Sequence, residues 1–227
     1  MKKNELITLK NPKSIISEAF RTLRTNIQYS NIDKSIKTIV ITSSMSEEGK
    51  TLIATNLAVS IAYTGKKVLI IDCDLRKPNI HKKLGLNNFK GLTNVLIGET
   101  SFEEVLNKHK DIPTLDMLTS GPIPPNPSEL LGSKKMEEFL RALKDEYDMI
   151  ILDSPPVGIV TDAAILSTKV DGVLLAINAG KTETEAAKRS KELLENVNAN
   201  IVGVVLNKVD MKNKSYNKYG YSKYYGD

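Results

Sequence analysis

An α/β fold, a mainly parallel β-sheet flanked by helices on both faces, is what this sequence predicts, and three observations carry it. Of six short apolar runs, most are rich in Val and Ile without strict alternation, as expected of strands covered on both faces. Longer amphipathic stretches of helical length separate them, the repeated β-α-β order that builds a parallel sheet. Polar residues follow directly on three of the runs, and in such sheets ligands bind beyond the carboxyl ends of the strands.

The first expected element is a helix over about residues 14–29. Strands are expected at 37–42, 67–72, 114–118, 148–153, 172–178 and 201–207, and helices at 50–64, 133–144, 162–169 and 183–196. The Pro-rich segment 121–128 reads as a rigid surface loop leading into a helix capped by Ser128 or Ser133. A length of 227 residues suits one substantial core, so residues 1–210 are expected to form one domain and 211–227 a flexible tail. Apolar residues at 41% and charged residues at 26% match ordinary globular chains and exclude a disordered or fibrous body.

No apolar run exceeds strand length, and the residues after Met1 lack a signal segment, so neither a membrane span nor export is expected. The single cysteine, Cys73, excludes an internal disulfide and fits a reducing, cytoplasmic setting. Of the net charge of +5, Lys212, Lys214, Lys218 and Lys223 against Asp227 place +3 in the tail. The remaining +2 on the body gives little support to a nucleic-acid partner, and none is expected.

After the run 38–42 comes Ser43-Ser-Met-Ser-Glu-Glu-Gly-Lys-Thr51 and then a helix, so Gly49-Lys50-Thr51 stands where a Walker A motif ends, with Ser44 at the position of its first glycine. Amide N–H groups and the positive helix end bind phosphates, Lys50 reaches the β- and γ-phosphates, and the Thr51 hydroxyl can ligate Mg²⁺. Ser46, Glu47, Glu48 and Gly49 with Lys50, Thr51 and Leu52 make up the nucleotide-binding candidates of this loop, a P-loop NTPase-like site. The plain alternative is a lysine that merely opens a helix.

Two further strands end in aspartate. In Val68-Leu-Ile-Ile-Asp-Cys-Asp-Leu-Arg76, Asp72 and Asp74 leave the strand on one side, and two such carboxylates repel unless a cation such as Mg²⁺ on ATP lies between them. One could serve as base for an attacking hydroxyl while the other holds the metal. The plain alternative is a solvated turn with Asp74 paired to Arg76 or Lys77. In Asp148-Met-Ile-Ile-Leu-Asp-Ser-Pro-Pro156, Asp153 has the Walker B position, an aspartate that orients Mg²⁺.

Together, the Walker A motif, I-I-D-x-D-x-R-K-P and L-D-S-P-P resemble the bacterial tyrosine kinases, a group related to the cell-division and plasmid-partition ATPases. The segment 121–131, G-P-I-P-P-N-P-S-E-L-L, is similar to that family too, and the likeness runs from Glu18 to the terminal tyrosines. It implies that Lys50 and Thr51 bind ATP·Mg²⁺, that Asp72 is the base, and that Asp74 and Asp153 hold the metal with Thr51. Where the family usually has Pro-Gly this chain has Ser46-Glu47, which brings a negative side chain near the phosphates. Met45 replaces the signature lysine of the partition ATPases and separates the chain from them.

Glu18, Arg21 and Arg24 share about a third of a helix circumference and resemble the family's oligomerisation motif E-x-x-R-x-x-R, which implies a ring of subunits. The plain alternative is a solvated i, i+3 pair contributing a few tenths of a kcal/mol. The resemblance also implies a separate transmembrane activator in capsule or extracellular polysaccharide export. It further implies an opposing tyrosine phosphatase, other protein substrates and a location at the inner face of the membrane.

Tyr216, Tyr219, Tyr221, Tyr224 and Tyr225 concentrate five of the eight tyrosines in the tail, as expected of phosphoacceptors. Extended, residues 211–227 would span roughly 55 Å at about 3.3 Å per residue, enough to reach the chain's own site or a neighbour's. Two other functions compete with a kinase: a nucleotide-switched ATPase or GTPase, and an interaction module with little activity alone. Asn207-Lys-Val-Asp210 matches the guanine-reading pattern N-K-x-D, the plain alternative being an Asn207 that ends a strand and contacts any base.

Overall fold

Strands form where the apolar runs stand, and the central ones are buried on both faces because helices cover the sheet above and below. The last run, 201–207, is only partly buried and exposes Val204 and Leu206. The computed structural model describes residues 6–30 and 35–210. Within them β1 (Thr38–Ser43), β2 (Val68–Asp72), β3 (Asn107–Lys108), β4 (Leu115–Leu118), β5 (Met149–Asp153), β6 (Gly172–Asn178) and β7 (Ile201–Asn207) build one sheet in the order β3-β4-β2-β5-β1-β6-β7. All pairs are parallel except β3 with β4. β3 adds to the expected strands: Asn107 and Lys108 carry no apolar pattern and are extended only because they pair with Met117 and Asp116 of β4.

The helices are α1 (Ile7–Lys10), α2 (Ile15–Gln28), α3 (Lys50–Ala62), α4 (Ile80–Leu84), α5 (Leu92–Ile97), α6 (Phe102–Val105), α7 (Pro127–Gly132), α8 (Lys134–Glu146), α9 (Asp162–Ser167) and α10 (Thr184–Glu195). Alternate strand residues feed two cores. Ile39, Ile41, Ile70 and Ile151 meet Phe20 and Ile27 of α2 and Ile53, Leu57 and Ile61 of α3 on one face. Val40, Leu69, Ile71, Ile150 and Leu152 meet Met136, Leu140 and Leu143 of α8, Leu166 of α9 and Leu194 of α10 on the other. Each fully buried Ile or Leu contributes roughly 1.5–3 kcal/mol. α3 is buried along almost its whole length, between α2 and the sheet, and so holds its amino end rigidly above β1.

Local signals set the helix ends. The Ser14 side chain accepts from the Ser17 N–H at the start of α2. The Ser133 hydroxyl accepts from Met136 N–H, 3.2 Å, and is the cap of α8; Ser128 lies inside α7, which opens on Pro127. At the amino ends of the strands Asp171, just before β6, gathers four donors. Its carboxylate accepts from Lys37 N (3.0 Å), Thr38 N (2.8 Å), Thr38 Oγ1 (2.9 Å) and Lys144 Nζ (2.6 Å). Burial raises its pKa, but these donors outweigh burial and hold it below the ordinary value.

Glu18, Arg21 and Arg24 lie half-buried on α2, and all three have partners within the chain. Arg21 pairs with Glu18 and donates to the Pro12 carbonyl, 2.9 Å away, while Arg24 Nη1 donates to the Ser60 carbonyl of α3 at 2.7 Å. Tyr216, Tyr219, Tyr221, Tyr224 and Tyr225, with the rest of 211–227, lie outside the described residues. Among the described residues no helix is long and apolar enough to cross a membrane.

Candidate active site

The loop from β1 to α3 is held in shape from three sides. Glu48 is buried, and its carboxylate accepts from the Met45 N–H (2.9 Å) and from the Thr182 hydroxyl in the loop after β6. The Glu48 carbonyl accepts from Asn207 Nδ2 (2.8 Å) and the Glu47 carbonyl from Lys208 Nζ (2.7 Å), both from the end of β7. From the third side Gly158 presses on the Ser44 carbonyl: a Cβ there would sit 2.3 Å from that oxygen. Glycine is required at position 49 twice over, by φ +95° and because a Cβ would meet Asn207 Nδ2 at 2.0 Å. Glu47 has φ +64°, so a residue with a side chain occupies the left-handed conformation that glycine takes freely. The Ser46 and Glu47 side chains are exposed, Leu52 is half-buried, and the buried Ser44 hydroxyl has no hydrogen-bond partner.

Lys50 and Thr51 open α3 from this loop. Parallel pairing of β2 with β5 sets Asp72 beside Asp153 in register, and Asp74 follows two residues beyond the strand end. Lys50 Nζ reaches Asp74 Oδ2 at 3.1 Å. All three carboxylates are buried, with relative exposures of 0%, 4% and 0% for Asp72, Asp74 and Asp153. Asp72 accepts from the Asn79 and Ile80 N–H groups at the start of α4 (3.0 and 2.9 Å) and from the Asp74 N–H (3.3 Å). No donor stands within ordinary hydrogen-bond geometry of either Asp153 oxygen, although the Thr51 hydroxyl lies near enough to oppose the rise of its pKa.

Burial, and then the neighbouring Asp153, push the Asp72 carboxyl up to about 8, against the pull of its backbone donors. Burial raises Asp153 to about 6, with the Lys50 ammonium opposing it. The expected residues Lys50, Thr51, Asp72, Asp74 and Asp153 are thus brought to one place, and Asn207 holds the same loop from the far side.

The plain alternative for Asp74, a turn paired to Arg76 or Lys77, is not what forms. Arg76 forks onto Asp162 at the start of α9, Nε–Oδ2 2.9 Å and Nη2–Oδ1 3.0 Å, while Asp74 takes Lys50 and the Lys77 backbone N–H at 3.0 Å. This fork ties the loop after β2 to α9, and sequence reading missed it. A fully buried Asp162 and an arginine in D-x-D-x-R were the available signals, but 86 residues separate them and no spacing rule joins them.

Mg²⁺ on a nucleotide takes one or two carboxylates, with phosphates and water completing its shell. Among the described residues no three His, Cys, Asp or Glu side chains converge as a ready metal cage. The two buried oxygens of Asp153, with no donor in ordinary hydrogen-bond geometry, nevertheless fit such an ion, with the carboxylate of Asp74 and the hydroxyl of Thr51 as its neighbours.

A phosphate loop of this kind between the central strand and a buried helix defines a P-loop nucleotide-binding protein. The AAA domain family model matches residues 36–207. Tyrosine-protein kinase YwqD of Bacillus subtilis (strain 168) is 45% identical over 216 residues, 95% of this chain and 90% of that protein. Among solved structures, the chimerical protein CapA2B2 superposes with a TM-score of 0.86 at 42% identity, covering 90% of this chain and 89% of that one. The kinase domain of the Escherichia coli tyrosine kinase ETK gives a TM-score of 0.88 at 34% identity, covering 94% and 84%. The chain belongs to the bacterial tyrosine kinase family.

Proposed function

We propose that the chain is an ATP- and Mg²⁺-dependent protein-tyrosine kinase whose acceptors are Tyr216, Tyr219, Tyr221, Tyr224 and Tyr225 of its own tail. Its role is to regulate capsular or extracellular polysaccharide synthesis and export. One observation carries this reading: three buried aspartates crowd against the Lys50 ammonium at the mouth of a phosphate loop. Three carboxylates without a metal or a polyphosphate complex to share them would be a heavy electrostatic cost for no structural return.

In this reading the amides of 46–51 and the amino end of α3 bind the phosphates, and Lys50 neutralises the transferring group. Thr51, Asp74 and Asp153 hold Mg²⁺, which supplies charge stabilisation to the phosphoryl oxygens when bound. Asp72 is the base for the tyrosine hydroxyl proton, acting in its ionised form. Glu18, Arg21 and Arg24 contribute to a ring of subunits, and a transmembrane activator brings the kinase to the inner face of the membrane. The chimerical character of the CapA2B2 neighbour supports a paired partner.

The test incubates the purified chain with labelled ATP and Mg²⁺, beside a variant with all five tail tyrosines changed to Phe. Label on tyrosine in the natural chain and its loss in the variant are expected. Label that persists in the variant removes the tail as acceptor, and hydrolysis without labelled tyrosine supports a nucleotide switch instead.

A further inference from the structure

Arg76 stands two residues after Asp74, and the ion pair that this spacing offers is not made. The guanidinium instead reaches across 86 residues of sequence and forks onto Asp162, with Nε–Oδ2 at 2.9 Å and Nη2–Oδ1 at 3.0 Å. Asp162 is fully buried in the first turn of α9, whose Ala163 and Leu166 are buried with it. Arg76 keeps 39% of its side chain exposed, and the fork uses two of its five N–H donors. The Arg76 pKa is raised chiefly by its hydrogen bonds to Asp162, and the Asp74 charge adds to the rise. The guanidinium therefore lies within electrostatic reach of Asp74 although it is bonded elsewhere.

Asp74 has a use that this neighbour could spoil. Its Oδ1 accepts from the Lys77 N–H at 3.0 Å, and its Oδ2 faces Lys50 Nζ at 3.1 Å. Once Lys50 turns to the phosphates of a nucleotide, Oδ2 is left to the metal. An arginine on the same loop, whose planar fork fits a carboxylate better than an ammonium does, would then compete with Mg²⁺ for that oxygen. The bond to Asp162 removes the competitor. A buried Asp162 without its arginine would be an uncompensated charge, and this holds the guanidinium where it is.

We propose that Asp162 is a positioning residue for phosphoryl transfer: by keeping Arg76 on α9 it reserves the Asp74 carboxylate for nucleotide-bound Mg²⁺. The inference rests on the assignment of Asp74 to Mg²⁺ and adds the residue that keeps Asp74 open to it. A fork that merely tied the loop after β2 to α9 would behave differently. Cutting it from both ends would then do at least as much harm as cutting it from one.

The experiment measures binding of a fluorescent ADP to the purified full chain with Mg²⁺ and with EDTA, and takes the ratio of the two dissociation constants. That ratio does not depend on what fraction of a variant folds. Mg²⁺ should tighten binding at least about fivefold in the natural chain. Asp162→Asn keeps the shape of the side chain but turns an amide N–H toward one arm of the fork. Arg76 is then released to Asp74, and the effect of Mg²⁺ should shrink to about twofold or less. Adding Arg76→Gln to Asp162→Asn takes the competitor away and leaves no charge stranded, so the natural ratio should return. A ratio unmoved by Asp162→Asn, or one that Arg76→Gln does not restore, overturns the proposal and leaves the Mg²⁺ reading standing. A natural chain whose nucleotide binding Mg²⁺ does not tighten overturns both.

Discussion

Asp171, half-buried, and Asp153, fully buried, are carboxylates at opposite ends of the same sheet, and their surroundings are inverted. Asp171, at the amino ends, has four donors and a pKa held below the ordinary range. Asp153, at the carboxyl ends, has no donor in ordinary hydrogen-bond geometry and a pKa raised to about 6. Backbone strain follows the same division. The left-handed residues at the amino end are Gly65 and Asn198, which tolerate that conformation, whereas at the carboxyl end Gly49, Gly121 and Gly180 are joined by Glu47 and Lys208, which do not. One end of the sheet is assembled for stability, and the other retains unsatisfied charge and strain at the site where a ligand would relieve them.

The comparison breaks first on Lys50, whose ammonium pairs with Asp74 of the aspartate cluster at 3.1 Å. Lys50→Met should lower the rate of label transfer from ATP by at least about 100-fold, measured beside the natural chain. Asp171→Ala should act on the fold instead. Loss of its donors costs about 2 kcal/mol, seen as a melting temperature roughly 4–8 °C lower near neutral pH. The sign follows from the depressed pKa: the ionised Asp171 stabilises the fold above the ordinary carboxylate pKa, and this contribution is lost as pH falls through its lower folded value. The melting difference between variant and natural chain should therefore shrink in acid, and a difference that held steady with pH would remove the charge from the explanation.

Asp153→Asn sharpens the contrast from the other side, since it removes a buried charge that no donor satisfies. Without nucleotide or Mg²⁺ at pH 8 the variant should be more stable by about 1 kcal/mol in urea unfolding, while losing metal-dependent activity. A less stable variant would mean that Asp153 is as well satisfied as Asp171. The smallest expected effect belongs to Glu47→Gly. Relief of the left-handed conformation, offset by the freer unfolded chain, should raise the urea midpoint by the equivalent of about 0.5 kcal/mol.

Much of this arrangement was legible in the sequence because it is local. Six of the seven strands carry their own apolar runs, five of them rich in Val and Ile, and Lys50, Thr51, Asp72, Asp74 and Asp153 announce themselves by standing at or after the ends of such runs. What escaped has little pattern of its own. β3 is two polar residues made extended by their partner, and α4, α5 and α6 are too short for a helical period to register. The Arg76–Asp162 fork and the clamp of Asn207 and Lys208 on the phosphate loop join distant stretches of chain, which only the folded topology brings together. The same holds for Glu48: its sequence position placed it among the loop candidates, but burial and bonding to Met45 and Thr182 depend on β6 lying next to β1.

Gly158 gives the molecule a blind spot for evolution and for the engineer alike. With the Ser44 carbonyl 2.3 Å from where a side chain would begin, that position is closed to the other nineteen amino acids unless the phosphate loop itself moves. A randomised library aimed at new substrates would waste every variant spent there. The turn at 207–210 grips the same loop through side-chain tips, which can be exchanged one at a time, and diversity placed there has somewhere to go.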